Sequence, residues 1–123
     1  MSSSLDGGRR RRARSIAGAG LVAGLALLTR AAPLAARLAP RFPHHRLWVA
    51  RVLGARLVAQ HVAVLVSPEP AALRRSAAVD GLHAASMLPV LALPRYRRAA
   101  LVSGGFAAVS ALAAQRVAGS VRR

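Results

Sequence analysis

Two apolar stretches of this chain each contain a charged residue, and this feature constrains the fold more than any other. Residues 47–67 carry Arg56 near their middle, and residues 76–93 carry Asp80. The first stretch is 21 residues long, close to the ~20 that a helix needs to cross the hydrocarbon of a bilayer. An arginine at the centre of such a helix costs roughly 2.5–3.5 kcal/mol on insertion. Arg56 therefore needs a partner of opposite charge.

Asp80 is the expected partner of Arg56. It is one of three acidic residues in the chain and the only one inside an apolar stretch. If residues 67–70 form a turn, Arg56 lies about 15 Å before it and Asp80 about 13.5 Å after it, at the helical rise of ~1.5 Å per residue. Two antiparallel helices would therefore bring these charges to the same level.

Other polar residues share the helix faces of these two charges. Gln60 follows Arg56 by one helical turn, and His83 follows Asp80 by three positions. The sequence therefore predicts an intramembrane polar seam of Arg56, Gln60, Asp80 and His83. One interpretation is an ion pair that fixes which helix packs on which, and this is the one we favour. The other is a proton or ion relay, because ionisable residues inside a membrane often mark a pathway.

Composition favours a bilayer over a soluble core. Apolar residues make up 54% of the chain and aromatic residues only 3%, and the apolar residues occur in long blocks. All 19 cations are arginine, giving a net charge of +16. Most arginines flank the apolar blocks, where they would meet anionic lipid headgroups. We therefore expect the lipid bilayer as partner and no nucleic acid, with a basic nucleic-acid-binding protein as the alternative.

The block pattern predicts an all-α fold, a four-helix transmembrane bundle. If the first helix continues toward Leu38, Pro33 is expected to bend it. Pro89 is expected to kink the third helix. An alternative for residues 15–36 is a cleaved signal sequence. The predicted organisation is a disordered basic lead at 1–14, a membrane domain at 15–118 with helices at 15–32, 47–67, 73–93 and 99–118, and a basic tail at 119–123.

Arginine counts predict the orientation. With the N-terminus inside, ten arginines lie on the inner side and seven on the outer side, which favours both termini in the cytoplasm. The heavy use of alanine, glycine and arginine is typical of a GC-rich bacterial genome, so we expect the inner membrane of a bacterium. Small residues such as Gly20 and Gly24 offer helix faces for close packing, including packing between copies in a homo-oligomer.

No motif for chemistry is present. The chain has no cysteine, no phosphate-binding glycine loop and no His-Glu-x-x-His sequence. Only one acidic residue lies inside the apolar stretches, so they contain no pair of carboxylates for acid–base catalysis. His61 and His83 would be offset by about 10 Å along neighbouring helices, too far for two haem ligands. We expect no enzyme activity, no metal and no cofactor.

The segments RVLGARLVAQ (51–60) and VDGLHAASM (79–87) resemble those of small four-helix integral membrane proteins of GC-rich bacteria, a group without assigned activity. The resemblance implies four spans. The function we expect is that of a structural or assembly membrane protein. The alternative is a small proton- or ion-coupled transporter or channel subunit that uses Asp80 and His83.

Overall fold

The computed structural model describes residues 2–119, with side chains described for residues 7–119. This part of the chain is helical and contains no strand, so the prediction of an all-α fold is confirmed. Two short 3-10 turns, His44–Arg46 and Pro89–Ala92, lie between the longer elements. The α-helices are α1 (Ser2–Thr29), α2 (Ala31–Leu38), α3 (Leu47–Val66), α4 (Pro70–Met87) and α5 (Arg97–Gly119).

The four long helices form two antiparallel pairs. Helix α1 packs along α3, which we name the N-terminal pair, and α4 packs along α5, the C-terminal pair. Gly20 contacts His61 and Gly24 contacts Leu57. Residue numbers therefore increase along α1 as they decrease along α3, which makes the two helices antiparallel. The two pairs contact each other less extensively, through α3 with α4 and α1 with α5.

Small residues at alternating spacings of four and three form the packed faces. On α5 the buried positions are Ala100, Gly104, Ala107, Ala111, Ala114 and Ala118. This spacing is the repeat with which helices pack side by side at small crossing angles. On α4 the small residues are less buried, with Ala77 buried, Gly81 partly buried and Ala85 exposed.

Two helical segments are long and apolar enough to cross a membrane. They are His44–Val66, which includes α3, and Arg97–Gly119, which is α5. A third candidate exists if Gly7–Thr29 and Ala31–Leu38 count as one bent span. The angle between those two segments is 103°.

The basic lead differs from the sequence-based expectation. Residues expected to be disordered are helical, because α1 begins at Ser2. Ala13 and Ala17 are buried in a core cluster with Leu73 of α4 and Ala114 of α5. Burial of Ala13 and Ala17 against α4 and α5 attaches the end of the lead to the rest of the molecule, and this packing stabilises the helix there. Positions 120–123 of the predicted tail lie outside the described residues.

The structure has the bend predicted near Pro33, as a break between α1 and α2, whereas at Pro89 a helix ends where the sequence predicted a kink. Proline 33 lacks the N–H that would bond the Thr29 carbonyl, and its ring would clash there, so α1 ends at Thr29. Pro89 likewise lacks the N–H that would donate to the Ala85 carbonyl in an α-helix. Helix α4 therefore ends at Met87, and the Leu88 N–H donates to the Ala85 carbonyl over 3.2 Å.

Candidate polar site between the helix pairs

Arg56 and Asp80 meet where α3 contacts α4. Arg56 Nη2 lies 3.5 Å from Asp80 Oδ1, and the two side chains are 30% and 2% exposed. Asp80 lies on the buried stripe of α4, which also contains Leu73, Ser76 and Ala77. The contact is longer than the ~2.7–2.9 Å of a strong charge-assisted hydrogen bond, so the attraction between the two groups is mainly electrostatic.

A second polar link lies one helical turn away. Gln60 Nε2 donates to Ser76 Oγ over 2.8 Å. Gln60 is four residues after Arg56, and Ser76 is four residues before Asp80, as an antiparallel register requires. Ser76 was missed in the sequence, although the register that aligns Arg56 with Asp80 also aligns Gln60 with Ser76.

His83 belongs to a different interface. Its Nε2 is 2.7 Å from the Ser103 hydroxyl of α5, so it links the members of the C-terminal pair. The hydrogen bond described for His83 thus goes to α5 and not to α3. The predicted seam is therefore divided, with Arg56, Gln60 and Asp80 between the pairs and His83 within one pair.

His61 is more deeply buried than His83, and it lies in the N-terminal pair. Its Nδ1 is 2.8 Å from the Leu57 carbonyl. A carbonyl only accepts hydrogen bonds, so Nδ1 carries the proton and donates. The opposite ring nitrogen, Nε2, faces Gly20 of α1, where a Cβ would collide with the ring. His61 and His83 thus lie in separate interfaces, and residues 7–119 contain no cluster suited to hold a metal ion.

Glycines bring α1 and α3 into backbone contact. A Cβ at Gly24 would lie 2.9 Å from the Gly54 carbonyl oxygen, and one at Gly54 would lie 2.7 Å from the Gly24 carbonyl oxygen. Real Cβ atoms do not approach this closely. The N-terminal pair is therefore held by direct packing of its backbones, which only glycine permits at these two positions.

Two clefts lie at opposite ends of the molecule. A cleft of about 260 Å³ lies beside the α3–α4 turn, with Arg9, Arg10 and Glu69 in its wall. The other, of about 660 Å³, lies between residues 39–41 and residues 94–101. Asp80 and His83 line neither of these clefts, which places both clefts away from the polar site.

Comparisons with protein-family models, with curated proteins and with solved structures give no match for this chain.

Proposed function

We propose that this chain is a small multi-span integral membrane protein of the bacterial inner membrane with a structural or assembly role. Its four long helices form a transmembrane bundle. The links Arg56–Asp80 and Gln60–Ser76 fix how the N-terminal pair docks on the C-terminal pair. In this proposal the polar site is a strut between helices and carries out no reaction.

The distribution of side-chain size carries this proposal. Alanine, glycine and a few polar residues fill most of the interior, with Leu57, Val64 and Leu73 as the large apolar residues there, whereas many other large apolar side chains point outward. A soluble protein does the reverse, because water drives large apolar groups inside. Lipid surrounds such side chains without penalty, and close packing of small residues then holds the helices together. Exposed examples on the long helices are Val22, Leu25, Val52, Val62, Leu82, Leu101, Val109 and Leu112.

Helix α4 is too polar to cross a bilayer alone, and its contacts support its place in the bundle. Ser76 accepts a hydrogen bond from Gln60 of α3, Asp80 pairs electrostatically with Arg56 of α3, and His83 is hydrogen-bonded to Ser103 of α5. Val79 and Leu82 are exposed on its remaining surface. A helix whose polar and charged groups face partners on neighbouring helices can lie within the hydrocarbon.

Membrane fractionation tests the location. We expect the protein to remain in the membrane fraction after washes with high salt and with alkaline carbonate, and to be released by detergent. Release by salt alone would contradict the proposal and would favour the basic nucleic-acid-binding alternative, since binding to phosphates weakens steeply with salt.

Labelling of introduced cysteines tests the orientation with both termini in the cytoplasm. The chain has no cysteine of its own, so Ser67→Cys and Arg95→Cys give single sites near opposite ends of the long helices. An impermeant maleimide added outside spheroplasts should label residue 95 and spare residue 67. The reverse pattern would contradict the proposed orientation.

Proton flux separates the strut from the relay. The relay hypothesis requires a route to Asp80 or His83, and the two clefts at the ends of the molecule are not lined by either residue. We expect proteoliposomes containing the protein to show the same proton leak as those containing the Asp80→Asn variant. A leak that disappears in Asp80→Asn while the helical content persists would favour the relay.

A further inference from the structure

The larger cleft is strongly basic. Its wall includes four arginines, one from the segment after α2 and three from the start of α5 and the residues before it: Arg41, Arg95, Arg97 and Arg98. Its volume of about 660 Å³ lies within the roughly 300–1,000 Å³ of ligand sites in proteins. The cleft is thus large enough for a small charged group.

Aromatic contacts fix the two walls of this cleft relative to each other. Phe42 packs edge-on against Tyr96, with ring centroids 5.9 Å apart. The Arg46 guanidinium lies 5.7 Å from the centroid of the same tyrosine ring, within the range of a cation–π interaction. In addition, Arg97 Nε donates to the Leu91 carbonyl over 2.9 Å. The cleft therefore has a defined shape before any ligand binds.

Among the residues whose side chains the structure describes, no carboxylate beside the cleft offsets its positive charge. The chain has three acidic residues, Asp6, Glu69 and Asp80. Glu69 lines the cleft at the opposite end, and Asp80 lies between α3 and α4. Neither of these two carboxylates lines the basic cleft. Guanidinium groups clustered in this way attract an anion from outside, and arginine matches phosphate oxygens in geometry.

The remaining wall is apolar, which selects an amphipathic ligand. Ala39, Pro40, Pro94 and Leu101 line the cleft beside the arginines, and Leu101 is 58% exposed on α5. We propose that this cleft binds an anionic phospholipid, with its phosphodiester against the arginines and its acyl chains along the outer face of α5. This inference rests on the proposed location in a membrane.

Trp48 provides a native reporter of the bound lipid. It is the only tryptophan in the chain and is 63% exposed. It lies two residues after Arg46, which contacts Tyr96. The experiment reconstitutes the full chain in phosphatidylcholine vesicles that contain increasing brominated phosphatidylglycerol. A parallel series contains brominated phosphatidylcholine. Bromine quenches indole at short range, so the two quenching curves give the relative affinity of the two lipids near the cleft.

We expect phosphatidylglycerol to be preferred by about fivefold or more, because each arginine near an anionic lipid contributes a factor of roughly five. Arg95→Gln/Arg98→Gln should reduce the preference by about fivefold or more, because it removes two of the four arginines in the wall. Arg97 is left unchanged because its Nε bonds to a backbone carbonyl. The control Arg74→Gln/Arg116→Gln removes the same charge from exposed positions nearer the opposite end and should keep the preference. Inorganic phosphate added to the vesicles should not reduce it.

Each other outcome overturns the lipid site. Equal quenching by the two lipids means that the cleft does not select phosphatidylglycerol. An equal loss of the preference for phosphatidylglycerol in both double variants means that this preference depends only on the overall charge of the protein. Loss of the preference on adding inorganic phosphate points to a site for free phosphate. If brominated phosphatidylcholine does not quench Trp48 at all, the proposed location in the membrane fails as well, so the two proposals are tested separately.

Discussion

The interface between α1 and α3 and the interface between α3 and α4 are built in opposite ways. In the first, glycines let two backbones touch, as at Gly24 and Gly54. In the second, contact is sparse, and two polar links join the helices over 3.5 Å and 2.8 Å. One helix, α3, thus uses packing on one face and polar attraction on another.

This difference shows what each kind of interface contributes. Lipid gives apolar helices little reason to associate, so close packing and interhelical hydrogen bonds supply the attraction. Close packing needs small residues at the points of contact, which Gly20, Gly24 and Gly54 provide in the N-terminal pair. Polar links act over few residues but only at one register. We infer that packing forms each pair and that the polar links decide how one pair docks on the other.

Substitution of Gly54 by leucine should reduce stability the most, because the new side chain would separate the backbones of α1 and α3. The new side chain would meet the Gly24 carbonyl and the Leu28 amide, atoms that move only if the helices separate. We expect a loss of at least about 3 kcal/mol, above the usual cost of overpacking, measured as unfolding by SDS titration in detergent micelles. Gly105→Leu is the matched control, since nothing lies within 4 Å of a Cβ there. Equal loss in both variants would contradict backbone contact at Gly54.

Substitution of Asp80 by alanine should rank second, because it leaves Arg56 without its partner. Removing one member of a buried ion pair costs about 3–5 kcal/mol, and we expect a value near 3 because Arg56 is 30% exposed. The measurement is the same SDS titration. Glu69→Ala removes an exposed carboxylate and should change stability by less than about 0.5 kcal/mol. An Asp80→Ala variant as stable as this control would refute the ion pair as a structural element.

Substitution of Gln60 by alanine should have the smallest effect of the three. Interhelical hydrogen bonds in membrane proteins contribute about 0.6 kcal/mol on average and about 1.7 at most, and we expect a loss within that range. Gln115→Ala, at an exposed position of α5, is the control and should be neutral. A loss as large as that of Asp80→Ala would mean that Gln60 has a role beyond its bond to Ser76.

Sequence alone located the charged contact because helix length and turn position determine depth. Counting residues from the turn placed Arg56 and Asp80 at one level, and the structure brings them to 3.5 Å. Helix α3 also ends within one residue of the predicted 47–67. Depth along a helix follows from the fixed rise per residue.

Rotation about the helix axis and the neighbours of each helix were harder to predict. His83 was assigned to the seam with Asp80, yet it turns toward Ser103 of α5, because which helix lies on that side depends on tertiary packing. The helical lead was missed for a similar reason. Ala13 is buried only because α4 and α5 pack over it.

The coupling energy between Arg56 and Asp80 tests the account most directly. It is obtained from the unfolding free energies of wild type, Arg56→Ala, Asp80→Ala and the double variant in one membrane-mimetic system. We predict that the double variant loses less than the sum of the single losses, by about 1–3 kcal/mol. Losses that add to within about 0.5 kcal/mol would contradict a direct interaction between these charges, and with it the proposed strut.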